Sequence, residues 1–139
     1  MAEAIMLKKL NDAGLRKKVH LDSAGTHASQ PGSKPDPRAS KIIKAKGGSI
    51  SGLRSRKVHA EDFDRFQFIL VMDTTNLEDL LAICPDTHKH KISLFLDHSD
   101  EISREVPDPF FGSISGFKNI ADLLDQACSD FIIRHLQKP

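Results

Sequence analysis

The chain has 139 residues, 39% of them hydrophobic and 28% charged, with a net charge of +1; that profile fits one soluble globular domain over residues 1–139. Lys and Arg are scattered rather than gathered into the stripe of a nucleic-acid binder, and no apolar run approaches the ~18 residues that span a bilayer, so the sequence predicts neither a nucleic-acid nor a membrane partner. Two cysteines are too few for a disulfide scaffold, and the expected compartment is a reducing cytoplasm.

Residues 1–13 read as a helix stopped by Gly14. Glu3 early and Lys8-Lys9 late reverse the charge order of a secretory signal. No Ser, Thr, Asp or Asn stands before this helix as a cap, and the chain begins as if cut inside a longer pattern. Val19-His20-Leu21-Asp22 alternates as a short strand, ending at Ser23-Ala24-Gly25-Thr26. Residues 27–38 hold three prolines and read as a loop. Asp36-Pro37 is a cap followed by proline at the first helical position. The helix it opens carries Ala39, Ile42, Ile43 and the stem of Lys46 on one side, and Gly47-Gly48 ends it.

Glu61 to Phe66 predicts one helical turn. Phe68-Ile69-Leu70-Val71-Met72 is a continuous apolar run, as in a parallel strand covered on both faces. Asp73 caps a following helix on which Leu77, Leu80 and Leu81 share a face. Lys91 to Leu96 is a third strand. The last helix runs from about Gly116 to Leu136, with Phe117, Ile120, Leu124, Ala127 and Phe131 on one stripe. Alternating strands and helices predict an α/β fold of three layers, a mostly parallel open sheet with helices on both faces. Ligands of such sheets bind beyond the carboxyl ends of the strands. Ser23 to Thr26, Asp73 and the 97–112 loop should therefore gather at one end.

Within that loop lies Val106-Pro107-Asp108-Pro109-Phe110-Phe111-Gly112. Two prolines stiffen the backbone on either side of Asp108. An aimed carboxyl group beside two flat apolar rings suits proton transfer to an aromatic leaving group. The same residues also fit a Pro-rich surface turn with two core phenylalanines.

With these pieces in order, the chain resembles the low-molecular-weight protein-tyrosine phosphatases. The resemblance rests on Met1-Ala2-Glu3-Ala4, Asp22 to Thr26, Pro35-Asp36-Pro37-Arg38, Glu61-Asp62-Phe63, Met72-Asp73 with Asn76-Leu77, and Val106 to Pro109. It covers essentially the whole chain. It implies hydrolysis of a phosphotyrosine protein or small aryl phosphate through a phosphocysteine, without a cofactor or metal. Asp108 takes the general acid/base position, Phe110 and Phe111 stand where aromatic residues pack on the substrate ring, and Ser23 matches a serine that steadies the phosphate loop. Leu53 stands where that support network often has a histidine.

The family's first helix is preceded by a strand and a Cys-x5-Arg phosphate loop, and Met1 stands where that loop should end. The expectation is a four-stranded sheet with three strands present, an N-terminally truncated domain whose nucleophile and phosphate-binding arginine lie outside residues 1–139. A downstream start-site assignment, a deletion or the choice of segment would each remove the roughly fifteen to twenty residues of a strand and loop. A buried strand is worth ~5–10 kcal/mol against ~5–15 kcal/mol of net domain stability. Residues 1–139 alone are thus expected to be inactive and marginally stable. A literal Cys-x5-Arg at Cys128–Arg134 lacks glycine and lies on the last helix's stripe, whereas a phosphate loop needs backbone free to curl around an anion.

Cys84, Asp86, His88 and His90 match no standard zinc spacing and read as a solvated loop. Arg54 and Arg56 read either as surface charges or as contacts for a substrate's acidic flank. Two other functions remain open from sequence. One is an arsenate reductase of similar fold, which needs a shuttle of redox cysteines. The other is a non-catalytic phosphatase-like protein.

Overall fold

The computed structural model describes residues 1–25, 36–49, 56–100, 104–107 and 114–137. Helix α1 spans Ala2–Asp12 with Met1 at its N-cap and no side-chain cap. Gly14, at φ +72°, turns the chain after it. Helix α2 is Pro37–Ala45. Asp36 caps it by accepting from the Arg38 N–H at 2.8 Å, and Gly47 at φ +85° closes it. Helix α3 is the single turn Asp62–Arg65. Strand β1 is Ile69–Val71, and α4 is Thr74–Ile83, capped by Asp73 accepting from the Asn76 N–H at 2.7 Å. A 3-10 turn over Asp86–Lys91 leads into β2, Ile92–Leu94. A second, Phe95–His98, replaces the strand's expected last residues. Helix α5 is Ile114–Phe131, and Ile132–Leu136 widens into a π-turn.

Strands β1 and β2 pair in parallel, Ile69 with Ile92 and Val71 with Leu94. Because side chains alternate across a strand, Val71, Ile92 and Leu94 join Phe63, Leu80 and Cys84 in one cluster, while Leu70 packs on the other face. That second face carries the larger core, built from α1, α2 and α5. The expected α5 stripe is buried throughout. Helices thus cover both faces of a small open parallel sheet.

The sheet departs from expectation at the first predicted strand, residues 19–22. These residues form no ladder; the pairing falls later, at a parallel bridge between Gly25 and Lys57. The Gly25 N–H donates to the Arg56 carbonyl at 2.9 Å, and the Val58 N–H to the Gly25 carbonyl at 3.0 Å. Val19 and Leu21 still pack against the core. Their apolar alternation is satisfied by helices, while their backbone lacks a strand at ladder distance among the described residues.

Candidate functional site

At the carboxyl end of β1 the chain is fastened to the segment that approaches Asp108. The Val106 N–H donates to the Met72 carbonyl at 2.7 Å, and the Val106 side chain is buried in the main core. One residue earlier, Glu105 accepts from both the N–H and the hydroxyl of Thr74, at 2.8 and 2.5 Å. It therefore serves the first turn of α4 alongside Asp73, where carboxylates are favoured by the helix dipole. These bonds from Thr74 hold the Glu105 carboxyl below the usual carboxylate range. Residues 105–106 of the expected loop thus meet residues 72–74, two fixed points directly before Pro107.

The stretch after residues 19–22 is fastened to the opening of α1. The Ser23 hydroxyl donates to Glu3 at 2.5 Å. Met1, Ala2, Leu21 and Met72 all lie half-buried against the same core. The first N–H groups of a helix have no intrahelical partners, so the start of α1 is electropositive backbone with Glu3 beside it.

Arg56 holds the neighbouring segments together. Its guanidinium reaches Asp22 at 3.1 Å and Asp62 at 2.9 Å. Asp62 is buried and also accepts from the His59 N–H at 2.9 Å. Burial pushes the Asp62 pKa up, and the Arg56 and His59 bonds outweigh it, leaving the group below its ordinary value. The one guanidinium charge of Arg56 is thus shared between two carboxylates of the chain itself, Asp22 and Asp62. At the start of α2, Arg38 folds back on Asp36 at 3.0 Å, its guanidinium 4.5 Å above the Phe117 ring of α5.

The two cysteines are structural. Cys128 is fully buried on α5, and burial pushes its thiol up to about 12. Cys84 is buried at the end of α4, also with a raised pKa from burial, and its thiol lies 3.4 Å from the Pro85 carbonyl. Only a thiolate attacks phosphorus or exchanges disulfides. Arg134, the other end of the literal Cys-x5-Arg, pairs with Asp100. In the Cys84–His90 loop, Asp86 pairs with Lys89 at 2.8 Å and His88 with Asp64 at 2.7 Å.

Known proteins decide the family. The model of the low molecular weight phosphotyrosine protein phosphatases matches residues 1–139. The chain belongs to this phosphatase family. The low molecular weight phosphotyrosine protein phosphatase of Schizosaccharomyces pombe is 35% identical over 119 residues, 84% of this chain and 76% of that protein. The human protein of the same name is 31% identical over 134 residues, covering 95% and 84% respectively. A crystal structure of a protein tyrosine phosphatase from Entamoeba histolytica superposes with a TM-score of 0.91 at 37% identity, over 96% of this chain and 85% of that one.

The chain is therefore a phosphatase by family, with the α/β fold of its relatives. Of the sequence-derived site residues, Ser23 is described and bonded to Glu3, while Asp108, Phe110 and Phe111 lie outside the described residues, as do Leu53 and Arg54. Glu105 and Glu3 were missed. Glu105 acts across 31 positions of sequence, a separation no local pattern displays. Glu3, as an acid in a first helical turn, carried a visible signal.

Proposed function

We propose that this phosphatase hydrolyses aryl phosphate monoesters, with the phosphotyrosine of proteins as the chief substrate, using Asp108 as general acid and then general base. A cysteine thiolate attacks phosphorus, and the phosphorus–aryl oxygen bond breaks as the Asp108 carboxyl gives its proton to the departing phenolate. The Asp108 carboxylate then takes a proton from water as that water attacks phosphorus. The sulfur–phosphorus bond breaks, and phosphate and thiolate are released. Phe110 and Phe111 pack on the aryl ring, and Ser23 steadies the phosphate-binding end through Glu3 and the first turn of α1. The attacking thiolate is neither Cys84 nor Cys128, both buried with thiols pushed up by burial, so residues 1–139 alone are expected not to turn over. The two unpaired thiols suit a reducing cytoplasm.

The observation that carries this reading is the double anchor before Pro107: Val106 on Met72 and Glu105 on Thr74. It supports a rigid root for an acid that must meet the leaving oxygen within hydrogen-bond reach. The test is p-nitrophenyl phosphate hydrolysis by the 139-residue chain and by a chain extended upstream, with and without Asp108→Asn. Turnover in the extended chain alone, lowered by Asp108→Asn with inorganic phosphate binding spared, supports the proposal. Turnover by the short chain overturns the assignment of the nucleophile. Turnover indifferent to Asp108→Asn removes that carboxyl from the mechanism.

A further inference from the structure

The end of the sheet opposite Ser23 and Val106 gathers two kinds of residue that the sequence scatters. The first kind is basic. Arg16, Lys17 and Lys18 form an exposed 3-10 turn after α1. It is fixed beside the start of β1, where His20 stacks on Phe66 at 5.5 Å and Arg65 reaches His20 at 3.1 Å and lies 5.6 Å over Phe66. The next segment along is the turn Asp86–Lys91, joined to α3 by His88 on Asp64 and by the Lys91 ammonium on the Phe63 carbonyl at 2.7 Å. Lys89 there is paired with Asp86. Among the described residues no acid pairs with Arg16, Lys17, Lys18 or Arg65.

The second kind is apolar. The large hydrophobic side chains exposed among the described residues are Phe68 at 41%, Ile83 at 62% and Ile133 at 63%. Phe68 directly precedes β1. Ile83 ends α4, just before the turn that leads into β2. Ile133 lies in the π-turn whose neighbour Phe131 packs on Phe68 at 5.1 Å. The opposite end carries the acids Glu3, Asp22, Asp73 and Glu105, with Arg56 paired to Asp22 there; at the amino end Asp64 and Asp86 are taken up by His88 and Lys89.

We propose that the amino end of the sheet is a peripheral docking face for a membrane bearing anionic lipids. Lys and Arg without an acidic partner are drawn to an anionic leaflet, and isoleucines exposed at the same end of the sheet enter the headgroup boundary, as in interfacial segments that lie on a bilayer without crossing it. No described helix is long and apolar enough to cross a membrane, so the contact is one of lying on the surface. The apolar component favours a lipid surface over nucleic acid or an acidic peptide, which basic groups alone would serve. Docked this way, the end carrying Ser23 and Val106 faces solvent. The proposal is independent of the catalytic reading.

Vesicle co-sedimentation of the chain tests it. Vesicles with about 30% phosphatidylserine should retain the protein at about 0.05 M salt, release it at about 0.5 M, and be preferred over pure phosphatidylcholine. Lys17→Glu with Lys18→Glu should weaken binding roughly tenfold or more, and Ile83→Ser should weaken it severalfold. Both variants alter exposed residues, and far-UV circular dichroism checks their folding; where a variant does not fold, the salt dependence of the unaltered chain decides. Equal binding to phosphatidylcholine, no binding at low salt, or salt-independent binding overturns the proposal. So does a result in which Ile83→Ser is without effect and soluble polyglutamate competes fully, which would make the face a polyanion site.

Discussion

The Val106 N–H and the Met72 carbonyl meet at 2.7 Å, coupling the end of β1 to the residue just before Pro107. The Val106 side chain adds burial at 5% exposure in the core shared by α1, α2 and α5. Val106→Ala keeps the backbone bond but leaves a small cavity, at a cost of about 1–2 kcal/mol. Urea unfolding should show a lowered midpoint with an unchanged slope. In an upstream-extended enzyme the same change should lower turnover with aryl phosphate more than it weakens phosphate binding if Asp108 is the acid, as proposed, because Val106 anchors the segment just before it. Equal losses in both would mean that Val106 supports the fold alone.

Arg56 joins Asp22 to buried Asp62 across 3.1 and 2.9 Å. Arg56→Met leaves the Asp62 carboxylate buried with only the His59 N–H as a described partner, and should cost about 2–4 kcal/mol. Arg56→Met with Asp62→Asn should recover part of that loss. The pH dependence follows from the depressed Asp62 pKa. Its stabilisation is present above the unfolded carboxylate value and is lost as pH falls through the folded value. With Arg56 removed, burial raises the Asp62 pKa against the His59 bond alone, so the share of the acid limb that Asp62 contributes to a thermal melting series should shrink or change sign. A double variant no more stable than Arg56→Met would place the defect elsewhere.

Local patterns carried most of the fold. Asp36-Pro37 opening α2, Asp73 opening α4, and the Phe117-to-Phe131 stripe each follow from a cap or a period confined to one element. The strand expected over residues 19–22 shows where such patterns stop. Apolar alternation fixes which side chains turn inward, but a ladder needs a neighbouring backbone, and the pairing went to Gly25 and Lys57. The π-turn over Ile132–Leu136 was likewise hidden, since it continues the apolar face of α5. In the candidate site, Ser23 was singled out by the family resemblance and is bonded to Glu3, whereas Glu105 on Thr74 and Arg56 between two aspartates are long-range pairings that only the fold creates.

A pair of histidines should make stability sensitive to mild acid. The His98 ring lies 2.8 Å from His135 through Nδ1 and 2.7 Å from the Ser93 hydroxyl through Nε2, with Phe68 and Phe131 around it. Burial lowers its pKa first, and His135 and Arg134 lower it further, against an opposing contribution from Asp97. Asp100 and Asp130 stand nearby, held by Arg134 and by Ser99 with Gln126. A base with a depressed folded pKa is protonated more readily when unfolded. Its stabilisation is complete above the unfolded value near 6.5 and is lost as pH falls below it. Melting temperature should drop between about pH 7 and 5, and His98→Gln should flatten that slope while lowering the plateau. An unchanged slope would assign the acid limb to other groups.

Cys128 should be chemically silent in the folded chain. Its thiol is fully buried on α5, pushed up to about 12 chiefly by burial, and a thiol that high is almost wholly protonated at pH 8, where alkylation needs the thiolate. Iodoacetamide should therefore label Cys128 only at the rate at which the core around α5 opens, rising steeply with urea. Cys84, buried in the smaller cluster at the end of α4, should label independently, at a rate set by opening of that cluster. In the extended enzyme, Cys128→Ala should leave turnover within about twofold and cost about 1 kcal/mol of stability for the small volume removed. Abolished turnover in a folded Cys128→Ala enzyme would give the thiol the catalytic role that its burial argues against.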